Sequence, residues 1–425
     1  MTDLNTILDT IRHLRPPDVE TTMLPAACYT SETFFQWERQ AVLARQWHCI
    51  GHAGEILEAG DCIGAEIAGE PVMAVRGADN QIRAFSRVCQ HRGQVIPCEA
   101  RQRRFICPLH QWTYDLDGRL VAAPHMGDRN VLLLLKESVR LPNLALTLWH
   151  GFIFVSVDSN PQPLDLVKVE PFWDGYDESS MKAVPPALSD SPLPWNWKTH
   201  VENFTDAYHT EFVHRGTHDF APSVHPDGDV QFTDMAQGDS AIVRTVPLLC
   251  PDGGMMRDGW GRHAVFPPIP TLSPTQRKQL TFVMIPPSLT LVFAPGVVAY
   301  TLLRPIGAAA TIAGSDRVTG GGWILPQSTL SLPDFVERAA QVRQGGAKIW
   351  AQDVPVNRSM QAGKSSRFLP DGIYGPLERT LQQFNLWLLN AYHQALMAQD
   401  LLHSTDPVAR STPECQRAAP SSPPR

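Results

Sequence analysis

Cysteine is scarce in this chain, with eight in 425 residues. Scattered at Cys28, Cys49, Cys62, Cys89, Cys98, Cys107, Cys250 and Cys415, they are too few to staple so long a chain, which argues against a disulfide scaffold and fits a reducing compartment. Long apolar runs are missing too. The longest, Val131 to Leu135, falls far short of the roughly 20 residues that cross a bilayer, and the N-terminal "MTDLNTILDTIRHLRPP" has no apolar secretory core. The expectation is a cytoplasmic protein with no membrane partner. A basic excess is absent: the formal net charge is −7, so no nucleic-acid partner is expected. The chain also lacks the C-x4-C-x2-C run of plant-type ferredoxins and any Gly-rich dinucleotide fingerprint, so neither a ferredoxin-type cluster nor a dinucleotide-binding module is expected in it. No internal repeat is visible.

What remains is an ordinary globular composition, 43% hydrophobic and 19% charged, long enough for more than one domain. Residues 1–44 read as a helical arm. Within and just beyond it, "YTSETFFQWERQAVLARQW" (Tyr29 to Trp47) is rich in helix formers, with Thr30 and Ser31 as cap candidates and Glu32 in the first turn. Residues 45–160 alternate short β-rich runs with turn signals such as Asp117-Gly118, which predicts a small antiparallel β domain. Residues 161–194 are rich in proline and acidic side chains and read as a connecting segment. Residues 195–402 hold strand-like runs at 241–249, 280–285, 289–293 and 297–303, framed by helical patterns at 197–214, 332–358 and 376–401. Strands framed by helices without βαβ alternation predict an α+β fold with an antiparallel sheet. Residues 403–425 form a Ser/Pro/Arg-rich tail expected to be disordered.

The strongest chemical signal lies in the β domain. "CQHRGQVIPCEARQRRFICPLHQW" contains Cys89-x-His91 and, after fifteen intervening residues, Cys107-x-x-His110. Two thiolates and two imidazoles on paired loops can hold a Rieske [2Fe–2S] cluster, in which histidines replace cysteines on one iron. A Cys2His2 zinc site uses the same ligand types. The spacing is not that of the usual zinc finger, and Pro108 and Gly93 suit a tight cluster cradle, so iron–sulfur is favoured.

A second concentration of metal-capable side chains sits in "VENFTDAYHTEFVH", Val201 to His214. On a helix, Glu202, Asp206 and His209 share one stripe, whereas His214 lies about 140° around from His209 at 3.6 residues per turn. The helix must distort or end before His214 if both imidazoles are to meet one metal. Glu202 reads equally as a packing or salt-bridge residue. His218, His225 and His263 read as solvent-exposed or hydrogen-bonded. Phe204, Phe212, Trp350 and Trp387 are aromatics available for a pocket, and residues 227–276, rich in Gly and Pro, read as a lid.

The two loops and this segment together resemble the Rieske non-haem iron oxygenases, the terminal alpha subunits of ring-hydroxylating dioxygenases and related monooxygenases. Respiratory Rieske proteins carry a further cysteine in each loop, where this chain has Gln94 and Leu109. The resemblance implies a β Rieske domain followed by a helix-grip catalytic domain. It makes Cys89, His91, Cys107 and His110 the cluster ligands, and His209 and His214 ligands of a mononuclear Fe(II). It makes Asp206 a bridge to a cluster histidine, here His110, of the next subunit in a homotrimer, because the two centres of one chain lie too far apart. The third ligand comes from a late helix: "IWAQDVPVNRSMQAGKSS" places Asp353, Asn357 and Gln361 on one face, and Asp353 is the expected ligand, with Glu211 or Asp206 as the alternatives. Asn203 is expected near the iron. Two departures bear on the subfamily. The spacing from Asn203 to Asp206 is one residue short of that in aromatic dioxygenases, and quaternary-amine relatives often have Glu where this chain has Asp206. The implied activity is O2-dependent hydroxylation of a small organic molecule, read first as aromatic, with electrons from a separate NAD(P)H-dependent reductase. The alternatives are an amine or betaine monooxygenase, or an electron carrier without catalysis.

Overall fold

The structure is a computed structural model describing residues 3–99, 101–186, 191–224, 230–234, 239–249, 264–313 and 321–405. The tail beyond 405, His225 and His263, and much of the expected lid lie outside the described residues. The N-terminal residues form α1 (Leu4–His13), α2 (Pro16–Thr21), α3 (Ala27–Thr30) and α4 (Glu32–Ala41). Ser31 begins α4 by accepting the Phe34 amide at 3.2 Å, which leaves one orphan N–H fewer at the helix start. The expected helix to Trp47 stops at Ala41, where a short 3-10 turn over Leu43–Arg45 leads into the first strand.

The β domain contains β1 (His48–His52), β2 (Cys62–Ile67), β3 (Glu70–Arg76), β4 (Ile82–Ser86), β5 (Phe105–Ile106), β6 (Thr113–Tyr114), β7 (Leu120–Ala122), β8 (Asn143–Trp149) and β9 (Phe152–Ser156). Six of them form an antiparallel sheet in the order β1-β9-β8-β4-β3-β2, and β5-β6-β7 form a second, smaller one. Gly118 turns the β6–β7 hairpin at φ 77°, and a Cβ there would stand 2.8 Å from the Phe85 ring. Both facts call for glycine. The apolar run 131–135, read from the sequence only as too short for a membrane, belongs to α5 (Arg129–Ser138), which Asp128 caps.

The presumed connecting segment is more ordered than its composition suggests, since β10 (Met181–Val184) joins the second domain's sheet. That sheet continues with β11 (Gln231–Thr233), β12 (Ile242–Pro247), β13 (Gln279–Ile285), β14 (Leu289–Ala294), β15 (Val297–Gly307), β16 (Ala310–Ala313) and β17 (Gly322–Pro326). Its order is β10-β17-β15-β14-β13-β12-β11, with β16 on the extension of β15. Helices α6 (Trp197–Thr205), α7 (Thr210–Val213), α8 (Gln327–Leu330), α9 (Phe335–Lys364) and α10 (Arg379–Thr405) complete the fold. β14 is buried at every position. One face of the sheet packs Val283, Leu289 and Leu291 against Phe152 and Phe154 of the β domain, while the other carries Leu280, Phe282 and Val292 toward the helices. Burial on both sides is why these strands read as continuous apolar runs rather than alternating ones. The result is the expected α+β architecture.

Candidate metal centres and substrate pocket

The first cluster of metal-capable side chains lies on two loops, one after β4 and one between β5 and β6. Each closes over its cysteine: the Cys89 amide donates to Gln94 O at 2.9 Å, and the Cys107 amide to Trp112 O at 2.8 Å. Gly93 takes the left-handed backbone this needs, at φ 77°. Cys89 and Cys107 are both buried. The rings of His91 and His110 stand 4.7 Å apart, and the Nδ1 atom of each is buried without a hydrogen-bond partner. Such orphans are rare unless something binds them. Tyr114, which the sequence reading passed over, places its hydroxyl 3.3 Å from Cys89 Sγ and accepts the Gln90 amide, and Trp112 stacks on His91 at 4.6 Å.

These donors fit a binuclear cluster and not one zinc ion. Tetrahedral zinc draws its ligand atoms to within about 4 Å of one another. Among the described residues the group whose donor atoms all lie within 4.8 Å of one another is His209, His214 and Asp353; no three of Cys89, His91, Cys107 and His110 do so.

The second centre is built by a helix that breaks. Asn196 starts α6 by accepting the Lys198 amide, and α6 ends at Thr205 with Asp206 in extended conformation. Asp206 then makes the turn: Oδ1 accepts the Tyr208 amide at 2.7 Å, and Oδ2 accepts the His209 amide at 3.2 Å and ring Nδ1–H at 3.0 Å. α7 restarts at Thr210, so the break required by the angle between the imidazoles is present. His209 Nε2 and His214 Nε2 stand 3.2 Å apart. Asp353 Oδ1, from α9, lies 3.7 Å from the first and 3.2 Å from the second. Ligands about 2.1 Å from a metal at right angles stand about 3 Å apart, so the three atoms suit one face of a coordination sphere. Outer hydrogen bonds aim both rings: His209 Nδ1–H goes to Asp206, and His214 Nδ1–H to Gln352 Oε1 at 3.0 Å. Each bond leaves the Nε2 lone pair facing inward. Gln352 is itself held by the Thr217 hydroxyl at 2.6 Å.

Asn203 donates to Asp353 Oδ1 at 3.2 Å and lines the pocket beside the triad. Asn357 and Gln361 share the buried stripe of α9 with Asp353, as their spacing predicts. Glu211, one of the alternative carboxylates, is exposed, and Asp206 is engaged behind His209. Glu202 faces the other way into a buried ion pair, with Lys364 Nζ at 2.5 Å and the Tyr29 hydroxyl on its second oxygen.

A cavity of about 230 Å³ opens on the triad. Its helix wall includes Phe204 and Trp350, and its sheet wall Arg244, Phe282, Thr290 and Thr301. The other two aromatics suggested by the sequence are elsewhere: Phe212 is 66% exposed, and Trp387 stacks on Phe384. Of the two readings given for His218, hydrogen-bonded fits and solvent-exposed does not. It is buried, lines the cavity, and keeps Nδ1 without a partner. Burial, with the charges of His214 and Arg244, pushes its pKa down to about 3, so it is neutral at physiological pH. Tyr114, Gln352, Arg244 and Phe282 carry no local motif, so sequence reading had no signal by which to find them.

Residues 173–394, more than half the chain, match the family described as ring hydroxylating alpha subunit (catalytic domain), and residues 46–141 match the Rieske [2Fe-2S] domain. The chain belongs to the Rieske oxygenase alpha-subunit family. That family carries a Rieske cluster and a mononuclear iron, the two groups the donor sets above fit. The carnitine monooxygenase oxygenase subunit of Escherichia coli strain K12 is 33% identical over 213 residues, 48% of this chain and 54% of that one. The glycine betaine monooxygenase oxygenase subunit of Pseudomonas aeruginosa strain UCBPP-PA14 is 33% identical over 197 residues, 45% and 44% of the two chains. These matches therefore span about half the length of the curated relatives. Chloroplastic choline monooxygenase of Atriplex hortensis is 23% identical over 88% of this chain and 77% of its own. Among solved structures, a quaternary ammonium Rieske monooxygenase with a bound inhibitor superposes with TM-score 0.69 at 21% identity, covering 91% of this chain and 98% of that one. Naphthalene 1,2-dioxygenase from Rhodococcus sp. gives the same TM-score at 19% identity, over 92% and 99%. Both share the fold. Among the described residues no helix is long and apolar enough to cross a membrane.

Proposed function

We propose that this chain is the terminal oxygenase of a multicomponent monooxygenase, and that it oxidises a carbon next to the nitrogen of a quaternary amine. The observation that carries the oxygenase reading is the convergence of His209, His214 and Asp353 within 4.8 Å at the mouth of a cavity. This is a two-histidine, one-carboxylate facial set. When bound there, ferrous iron keeps positions open for oxygen chemistry. The electron-carrier alternative has no use for such a site.

The choice of substrate rests on the relatives. Those quoted are named for carnitine, glycine betaine and choline, so the first expectation of an aromatic substrate gives way to the amine alternative. The rings of Trp350 and Phe204, which line the cavity beside the triad, suit a methylammonium group by cation–π contact. The reaction is R–CH3 + O2 + 2e⁻ + 2H⁺ giving R–CH2OH and water, and a carbinol next to nitrogen then splits into an aldehyde and the smaller amine. Asn203 and the outer bonds to Asp206 and Gln352 hold the ligands in register. The electrons come from a separate reductase.

Association of copies completes the reading. Exposed apolar side chains flank both ends of the expected electron path: Val95, Ile106 and Leu109 near the cluster loops, Tyr208 and Phe212 near Asp206. A ring of subunits, read as a trimer, would cover both and bring His110 of one copy to Asp206 of the next.

The test is turnover of iron-loaded protein with a ferredoxin-type reductase and NADH against carnitine, glycine betaine, choline, benzoate and toluene. Substrate-dependent oxygen uptake with stoichiometric aldehyde from an amine is the expected result. Diol or phenol formed from toluene or benzoate, with no amine consumed, would overturn it.

A further inference from the structure

The sheet wall of the pocket carries a charge that no described residue neutralises in an ion pair. Arg244 is 4% exposed, in register with Phe282 across β12 and β13, and its guanidinium carbon lies 3.9 Å from the centre of that ring. Stacking fixes the plane of the fork but satisfies none of its five donors. Its Nε–H has no partner. Nη2 makes a long bond of 3.4 Å to Phe204 O, and the guanidinium forms no ion pair among the described residues. Asp206 is the acid that acts on it from further off, and both oxygens of Asp206 are engaged by Tyr208 and His209. His218, also in the wall, is an imidazole and supplies no negative charge.

Burying a cation without a hydrogen-bonded anion is costly. Arg244 remains charged even so, because burial brings its pKa down only to about 10. A pocket holding this charge opposite a metal site disfavours a ligand that is only cationic.

We propose that Arg244 is the anchor for a carboxylate of the substrate, so that the pocket selects a zwitterion: carboxylate on the guanidinium at the sheet wall, methylated nitrogen at the triad between Phe204 and Trp350. The zwitterionic part rests on the amine reading above; the anion subsite does not, since an aromatic acid offers the same carboxylate. Glycine betaine and choline make a clean pair of probes, differing in carboxylate against hydroxymethyl on the same trimethylammonium head.

Isothermal titration of the full-length, metal-loaded protein with glycine betaine, carnitine, choline and benzoate tests this, in the wild type and in Arg244→Gln and Arg244→Lys. Charge-assisted hydrogen bonds of this kind account for about 10- to 100-fold in affinity. The wild type is expected to favour the carboxylate ligands over choline by that factor. Arg244→Gln loses the preference while choline binding is unchanged or tighter, and Arg244→Lys keeps part of it. Equal loss for choline and glycine betaine would mean a merely structural arginine, and equal affinity of the wild type for both overturns the anchor even if neither variant folds. The two readings separate cleanly. Turnover of choline alone keeps the amine oxygenase and sinks the anchor, whereas Arg244-dependent binding and oxidation of benzoate alone keeps the anchor and sinks the amine.

Discussion

Asp206 does two jobs with one carboxylate. It forms the turn that ends α6, through the amides of Tyr208 and His209, and it holds the outer nitrogen of His209. Asp206→Asn keeps an oxygen for the turn but replaces a charged acceptor with a neutral one. Removing such an outer partner costs about 10- to 100-fold in activity or metal affinity. We expect turnover to fall by that factor with both metal signals retained in electron paramagnetic resonance, and near-normal turnover would remove Asp206 from the electron path. A second residue speaks to pH. His48 is buried with Nε2–H on Leu43 O at 2.8 Å, and burial holds its pKa down to about 4 from 6.5. The unfolded chain takes up this proton first as pH falls, so the associated stability is complete above 6.5 and is lost toward 4. The slope is about 1.4 kcal/mol per pH unit in that window. Urea unfolding at stepped pH should show a shallower loss in His48→Gln, and an unchanged slope would exclude this histidine as the source. At this scale His209 and His214 could be paired from the sequence because their spacing is local, whereas Asp353, which the structure brings beside them, was expected only through the family resemblance. The pocket wall was not, because Arg244, Phe282 and Thr290 come from different strands and meet only through sheet register.

Among elements, the helix break shows best what periodicity can and cannot say. The 140° offset of His209 and His214 on an ideal helix, about five residues at 100° each, demanded an interruption, and α6 stops at Thr205. What periodicity could not say is which elements grip the broken segment. α9 does so with the same buried stripe that carries Asp353: Gln361 accepts the Asn196 amide at 2.9 Å, and Lys364 pairs with Glu202. The arm closes the same network, since Glu38 of α4 pairs with Lys198 at 2.8 Å and both are fully buried. The arm therefore braces the helix that carries the site, although the sequence marked it only as a helical lead-in. Removing one partner of a buried pair costs about 3–5 kcal/mol because the other charge is stranded. Lys364→Met should lower the urea midpoint accordingly, and adding Glu202→Leu to it should recover part of the loss. If the double variant is no more stable than the single one, the stranded carboxylate is not what destabilises it.

In the whole molecule, the β domain and the catalytic sheet share a core through Phe152, Phe154 and Leu291, so the cluster loops and the triad keep fixed places in one chain. Electron transfer between copies then becomes a question of symmetry. In a closed ring every interface is alike, so on the proposed path each cluster would face the triad of one neighbour. Two crippled chains can test this when co-expressed with separate tags: His110→Ala, which spoils the cluster and keeps the triad, and His209→Ala, which does the reverse. If electrons stay within a chain, no mixture works, since neither chain has both centres. If they cross, a good triad receives electrons whenever its neighbour is the other variant. In a random one-to-one mixture half the triads are intact and half of those face an intact cluster, giving about one quarter of wild-type turnover. Activity near that level, against none for either variant alone, is the expected outcome. Mixed assemblies that are verified by both tags and remain inactive would place the path inside a single chain.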